Sequence, residues 1–176
     1  MRAFDEAVLQ FTQNINSGAI TAAMVFFSSI GNAGAVWLLA AAALLLRRKT
    51  RARGVTLLVC LALCMLVNNL LLKNLIARPR PFDALPWLTA RIARPADFSF
   101  PSGHTAAAFA AACALARGFS RRIAIPAYLL ASLIAVSRVY VGVHYPSDVL
   151  AGVLVGTLCG FLGVYLLTGR HGRRII

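Results

Sequence analysis

The most constraining feature of this sequence is a series of long apolar blocks separated by short basic clusters. Hydrophobic residues make up 60% of the 176 residues, charged residues make up 13%, and the mean hydropathy is +0.77. A soluble domain needs polar residues to cover its surface, whereas continuous apolar blocks find their solvent in lipid. The pattern therefore predicts an all-α fold, a polytopic transmembrane helix bundle that forms one membrane-embedded domain over residues 1–176.

Five apolar segments are candidate spans, because a spanning helix needs about 20 apolar residues, or fewer where its ends are buried in protein. They cover residues 20–46, 55–72, 104–116, 123–141 and 149–168, which predicts five to six spans. The first segment is longer than one span needs and contains Gly31 and Asn32. It is therefore either a kinked or tilted helix, or an interfacial piece followed by a span.

Residues 1–18 are predicted to form an amphipathic helix on the membrane surface. Apolar residues recur there at helical spacing, with acidic and amide residues between them. Such a helix buries its apolar face at the boundary between headgroups and acyl chains.

The net charge of +13 raises the question of a nucleic-acid partner, but the positions of the basic residues argue against one. They cluster between apolar blocks, at 47–53, 117–122 and 170–174. Lys and Arg concentrate in cytoplasmic loops, so these clusters place the segments 73–103 and 138–148 on the extracytoplasmic side of the cell membrane. The lipid bilayer is the predicted partner, and the loop 73–103 is predicted to carry part of the active site.

The segment 73–81 combines basic side chains with two prolines at the end of the second span. Pro79 and Pro81 cannot continue a helix, so the helix that carries Lys73 is expected to stop there. Arg80 would then turn back over the helix end, and the pair of cations suits phosphate oxygens. The loop 82–98 either touches the substrate headgroup or lies on the interface. Three other arginines are predicted to be interfacial cations that extend towards water, namely Arg78, Arg91 and Arg94.

Residues 102–104 open the third span. Ser102 is a favourable N-cap and Gly103 lets the backbone approach a ligand, so the free amides of this helix start would face an anion. His104 adds a titratable group at the same place. An ordinary capped helix start accounts for Ser102 and Gly103 but not for His104.

Residues 137–148 combine Arg138, His144 and Asp148 with a proline suited to open a helix, Pro146. The spacing of four places Asp148 one helical turn beyond His144. A carboxylate that bonds one ring nitrogen fixes the tautomer and leaves the other nitrogen free to attack. The alternative is that Asp148 only caps the last span.

Three patterns, K-x6-R-P at 73–81, P-S-G-H at 101–104 and S-R-x5-H-x3-D at 137–148, together resemble the type 2 phosphatidic acid phosphatase superfamily. That family includes lipid phosphatases, bacterial acid phosphatases, glucose-6-phosphatase and vanadium haloperoxidases. The resemblance implies that His144 is a nucleophile oriented by Asp148, and that His104 is the general acid. It also implies a set of phosphate-binding residues, namely Lys73, Arg80, Ser102, Gly103 and Arg138.

The resemblance predicts hydrolysis of a lipid phosphomonoester or pyrophosphate through a phosphohistidine. Undecaprenyl pyrophosphate is ranked first by family analogy, with phosphatidylglycerol phosphate and phosphatidic acid as alternatives. No cofactor and no metal are expected, because the sequence offers no acidic cluster for magnesium or zinc. Two other classes are a small membrane transporter, whose site would lie nearer the midplane, and a haloperoxidase, which would need vanadate.

Overall fold

The computed structural model describes residues 2–15 and 17–169, and within those ranges the chain is helical with no β-strand. This confirms the predicted all-α class. A 3-10 turn covers Asn32–Gly34 and a π-helical stretch covers Met65–Leu72. The α-helices are α1 (Arg2–Asn14), α2 (Gly18–Ile30), α3 (Ala35–Leu45), α4 (Arg51–Cys64), α5 (Lys73–Ile76), α6 (Pro81–Ala84), α7 (Gly103–Gly118), α8 (Arg121–Tyr140) and α9 (Pro146–Thr168).

The first apolar segment is a bent helix pair, which agrees with both alternatives predicted for it, a kinked span or an interfacial piece followed by a span. α2 and α3 meet at 51° around the turn Asn32–Gly34. Gly34 has a φ of +68°, a conformation that glycine adopts without steric cost. A Cβ atom on Gly31 would lie 3.0 Å from the His104 ring, so the bend brings bare backbone against that histidine.

The second span ends where its prolines predicted. α4 continues through the π-helical stretch into α5, which ends at Ile76, and Ala77 adopts a left-handed conformation with a φ of 47°. Arg80 is extended, and Pro81 opens α6. The chain therefore turns back over the helix end that carries Lys73, as the sequence predicted.

Helices α7 and α9 pack along a seam of alanine and glycine. A Cβ atom on Gly156 would lie 2.2 Å from the carbonyl oxygen of Ala106, and one on Gly152 would lie 2.8 Å from that of Ser102. Small residues allow helix backbones to approach this closely in membranes. The seam sets the starts of the two helices side by side, where the Ser102 amide donates to the Asp148 carbonyl over 3.0 Å.

The described residues include three helical segments long and apolar enough to cross a membrane, and a fourth if the bent pair counts as one span. Five to six spans stays a prediction, since α7 has only 16 residues and most of them are buried. The single domain over 1–176 also stays a prediction, as does the surface position of the N-terminal helix. The basic cluster at 170–174, used for the predicted orientation, lies outside the described residues.

Candidate active site

The structure brings the eight predicted site residues together at one end of the bundle. Electrostatic interactions join His104 to Arg138, His144, Lys73 and Arg80. The other three complete the group through the starts of α7 and α9, namely Ser102, Gly103 and Asp148. One end of the bundle therefore gathers five cationic or imidazole groups from separate helix ends around a shared centre.

His144 and Asp148 form the predicted pair. The His144 Nδ1 atom lies 3.4 Å from the Asp148 Oδ2 atom, and both side chains are buried. On the other side of the ring, Arg80 Nη1 lies 3.4 Å from His144 Nε2. Because a guanidinium can only donate, Nε2 is the lone-pair nitrogen and Nδ1 carries the proton that Asp148 accepts. The free lone pair thus points towards the cations.

The environment of His144 keeps its imidazole neutral. Burial lowers its pKa to about 4, and the hydrogen bond that it donates to Asp148 opposes this shift without cancelling it. The positive charges of Arg80 and Arg138 lower the pKa further. A neutral imidazole at pH 7 is the form that can act as a nucleophile.

Lys73 and Arg80 share one carboxylate, Asp97. Lys73 Nζ contacts Asp97 Oδ2, and Arg80 Nη2 lies 2.5 Å from Asp97 Oδ1. Burial would raise the pKa of Asp97, but the bonds from Lys73 and Arg80 outweigh it and lower that pKa to about 2. An anion therefore already lies between the two predicted phosphate ligands, on a side chain that is 55% exposed.

Arg138 is buried with donors to spare. The residue is only 2% exposed, and its Nη1 atom donates to the hydroxyl of Ser28 on α2. Its Nε atom is buried and has no partner among the residues that the structure describes. No carboxylate within residues 2–15 and 17–169 forms an ion pair with it. A buried guanidinium in this state lacks an acceptor.

The start of α7 differs in one respect from the prediction. Ser102 occupies the N-cap position, but its side chain makes no capping bond and instead accepts from the Thr105 hydroxyl over 3.0 Å. A Cβ atom on Gly103 would lie 2.8 Å from the side-chain oxygen of Asn69, so a larger residue there would displace that side chain. His104 Nε2 lies 2.9 Å from the Asn32 Oδ1 atom, at the bend between α2 and α3.

Two arginines assigned to the interface are in fact bound inside the protein, so that prediction was wrong for them. Arg78 pairs with Asp5 and Asp148. Arg91 donates to backbone carbonyls at the end of α1 and of α8, including those of Thr12 and Tyr140. Desolvated acceptors hold both side chains more strongly than interfacial water would. Arg91 therefore ties the loop 82–98 to these helices.

The sequence offered a signal for the missed acids. The chain has only five Asp and Glu residues, and three of them, Asp5, Asp97 and Asp148, bind the arginines or lysine of this site. Where acids are this rare in an apolar chain, each is a candidate functional residue. Asn32 carried no comparable signal beyond its position in a hydrophobic segment.

A family model described as the PAP2 superfamily matches residues 53–171. The chain belongs to this superfamily. The match contains all eight predicted site residues and both Asp97 and Arg78, whereas Asp5, Ser28 and Asn32 precede it. These three N-terminal residues contact the PAP2 site from outside the matched region.

Proteins whose names state an enzymatic activity are similar to much of this PAP2 chain. An undecaprenyl-diphosphatase from Sulfolobus acidocaldarius is 35% identical over 143 residues, which cover 81% of this chain and 68% of that protein. Among solved structures, LpxE from Aquifex aeolicus matches with a TM-score of 0.79 and 29% identity, over 90% of this chain and 93% of the other.

A second solved structure, a transmembrane PAP2-type phosphatidylglycerolphosphate phosphatase from Bacillus subtilis, matches with a TM-score of 0.78 and 27% identity. The alignment covers 97% of this chain and 88% of that one. The PAP2 protein described here is therefore a membrane protein of the lipid phosphatase branch, and its phosphatase relatives support a hydrolase.

Proposed function

We propose that this protein hydrolyses a lipid phosphate through a phosphohistidine formed on His144. The observation that carries the proposal is the His144 ring itself, which is buried, neutral, bonded to Asp148 at Nδ1 and turned towards Arg80 at Nε2. In the first step, the Nε2 lone pair forms a bond to phosphorus and the bond from phosphorus to the lipid oxygen breaks. The leaving oxygen takes its proton from His104, whose protonated form the negative charge of the bound substrate phosphate favours.

In the second step, water attacks the phosphohistidine while His104 accepts a proton from that water. The bond between phosphorus and His144 Nε2 breaks, its electron pair returns to Nε2 as a lone pair, and inorganic phosphate leaves. Phosphoryl transfer spreads negative charge over the equatorial oxygens, so fixed cations supply most of the stabilisation. This role falls to three cations, namely Lys73, Arg80 and Arg138. The Nε atom of Arg138, which has no partner among the described residues, donates to a phosphate oxygen. Ser102 and the Gly103 amide complete the predicted set.

Substrate binding requires an exchange of anions at Asp97. Its carboxylate bonds the same two cations that the phosphate needs. Two anions cannot both lie between Lys73 and Arg80 without strong repulsion, so the substrate phosphate displaces Asp97 from these cations. The exposed position of Asp97 gives the displaced carboxylate access to water.

The substrate we propose first is undecaprenyl pyrophosphate, supported by the activity named for the Sulfolobus relative. Phosphatidylglycerol phosphate, supported by the Bacillus structure, and phosphatidic acid are the alternatives. We further propose that α7 is a short span, that α1 lies on the membrane surface, and that the site opens on the extracytoplasmic side. The reaction is proposed to need no metal, since cationic side chains surround the phosphate position.

The test is phosphate release by the purified protein in detergent, from a panel of polyprenyl and glycerol phosphates. We expect one class of lipid to be hydrolysed, with activity retained in a chelator and lost in His144→Ala. Brief reaction with a radiolabelled terminal phosphate should leave an acid-labile label on the parental protein and none on the variant. Parental rates from His144→Ala on every active lipid would overturn the nucleophile assignment, and loss of activity in the chelator would overturn metal independence.

A further inference from the structure

A buried ionic network lies behind Asp148, on the side away from His144. It joins α1, the loop before α6, and the first turn of α9 through Asp5, Arg78 and Ser147. Asp5 is 1% exposed and Asp148 is fully buried, so two carboxylates are removed from water within reach of one guanidinium. The proposed reaction does not use Asp5, Arg78 or Ser147.

Arg78 is the centre of this network. Its Nη1 atom lies 2.6 Å from Asp148 Oδ1 and 2.8 Å from the Ser147 hydroxyl, and its Nη2 atom lies 2.9 Å from Asp5 Oδ2. The guanidinium also stacks on the Tyr145 ring, 3.7 Å from its centroid. A planar fork held on several sides fixes the positions of the groups that it bonds.

Asp5 closes the network from α1. Its Oδ1 atom accepts from the Ser147 amide over 2.9 Å, and its Oδ2 atom accepts from the Ser147 hydroxyl over 2.6 Å. The Ser147 amide belongs to the first turn of α9, where backbone N–H groups lack helical partners and favour an anion. Asp5 thus binds the helix start that carries Asp148.

We propose that Arg78 and Asp5 are positioning residues for Asp148, and through it for His144, which makes the N-terminal helix α1 part of the catalytic unit. This inference rests on the proposed phosphohistidine mechanism. The Asp148 Oδ2 atom faces His144, the Tyr145 amide and the Ser99 hydroxyl, so Arg78 alone among the described residues holds the opposite oxygen, Oδ1, by an ion pair.

Removal of Arg78 would have two consequences. The Asp148 carboxylate would lose a bonded partner in a buried site, and it would turn to satisfy Oδ1 elsewhere. The charge that Arg78 now neutralises would act more strongly on the imidazole, which favours protonated His144. The other charged groups that face His144 are Arg80, Arg138 and, across the site, His104, and none of them is altered by this change.

The test compares Arg78→Met with Arg94→Met, using kcat, KM and the pH dependence of phosphate release by the full chain in detergent. Arg94 stacks on Phe82 at 5.2 Å and forms no ion pair within the described ranges, so it is a matched control. We expect Arg78→Met to lower kcat by roughly 10- to 100-fold, the range for loss of a partner that orients a reacting group. KM should change by less than about twofold, because Arg78 does not touch the substrate.

Three further results bear on the mechanism of the effect. The acid limb of the kcat profile should move to higher pH in Arg78→Met, which a purely structural defect would not cause. Arg78→Lys should recover part of kcat, since Lys keeps the charge but cannot bond both carboxylates as a fork. Asp5→Asn should lower kcat several-fold, whereas its matched control Glu6→Gln, on the next residue of α1, should retain the parental rate.

The inference is overturned if Arg78→Met keeps the parental kcat, or if it raises KM alone, which would place Arg78 against the substrate. It is also overturned if kcat falls with an unmoved acid limb and Arg78→Lys gives no recovery. Should Arg78→Met fail to fold, Asp5→Asn decides the matter, and a parental kcat there rejects the role of α1. Any of these outcomes with an inactive His144→Ala leaves the phosphohistidine mechanism standing, whereas an active His144→Ala rejects that mechanism first.

Discussion

The two sides of the candidate site differ in how completely they are bonded. On the His144 side, the Asp148 carboxylate accepts from Arg78, Ser99 and the Tyr145 amide as well as facing the imidazole. On the Arg138 side, the guanidinium has one unpartnered nitrogen among the described residues. Two other cations of the site, Lys73 and Arg80, are bound by Asp97, a side chain that is more than half exposed.

The difference indicates that the two sides have different roles, one in orienting reacting groups and the other in binding an anion. Groups that must be oriented before reaction are held by the protein itself, because catalysis gains from dipoles and charges fixed in advance. Groups that must bind an incoming anion keep a donor free or hold a carboxylate that can leave. In the mechanism that we propose, the His144 side is complete without substrate, while the substrate phosphate completes the Arg138 side.

The largest effect should follow from breaking the complete side. Asp148→Asn replaces an acceptor with an amide in a pocket of donors, and it removes the charge that orients the imidazole. We expect kcat to fall by roughly 10³- to 10⁴-fold, as for the equivalent change in a catalytic triad. Phosphate release per folded molecule, with folding checked by circular dichroism, measures this loss. Asp83→Asn, an exposed acid on α6, is the control, and a loss below tenfold in Asp148→Asn would contradict the comparison.

A smaller but still severe effect should follow from removing the cation of the incomplete side. Arg138→Met deletes the guanidinium that we assign to the transition-state oxygens, and we expect kcat to fall by roughly 10²- to 10³-fold. Inhibition by vanadate, which resembles the transferring phosphoryl group, should weaken in parallel. If vanadate inhibits Arg138→Met as strongly as it inhibits the parent protein, the unpartnered Nε does not bind the phosphoryl group.

Removing the resident anion should strengthen binding rather than weaken it. Asp97→Asn frees Lys73 and Arg80 from a charged competitor, and we expect vanadate and inorganic phosphate to inhibit about two- to fivefold more tightly, given the modest strength of a half-exposed ion pair. Asp83→Asn again serves as the control. Weaker inhibition in Asp97→Asn would show that Asp97 organises the cradle instead of competing for it.

The smallest expected change is in the protonation of His144. Its pKa is lowered to about 4 by burial, so the ring stays neutral at every pH above that value and becomes protonated only below it. Nitrogen-15 NMR of histidine-labelled protein in detergent, with the His144 signal assigned by its loss in His144→Ala, should show almost no shift between pH 7 and 5.5. A midpoint near 6.5, the ordinary histidine value, would contradict a preassembled His144 side.

Local patterns in the sequence predicted the parts of this site that depend on neighbours along the chain. Pro79 and Pro81 predicted the end of the second span, and the spacing of four predicted that Asp148 meets His144. The contact of Asp5 with Ser147 joins residues 142 positions apart, and no helical periodicity encodes such a contact. The roles predicted for individual residues remain to be tested by the variants above.

A different limit applied to Asp97 and Asn32. Their importance depends on how a loop and a helix bend are placed over the cations and His104, and tertiary packing alone determines this. The Ser102 side chain does not make its predicted capping bond, since its hydroxyl instead accepts from Thr105, three residues along the same helix.

The seam between α7 and α9 has a consequence for how the two histidines are spaced. Gly156 touches the backbone of Ala106 with no side chain between them, so α9 cannot slide along α7 by one residue without a steric clash. The register of these two helices therefore positions His104, in the first turn of α7, relative to His144, which lies two residues before α9. The spacing of the two proposed catalytic histidines therefore depends on the packed backbone of two helices as well as on the loops beside them.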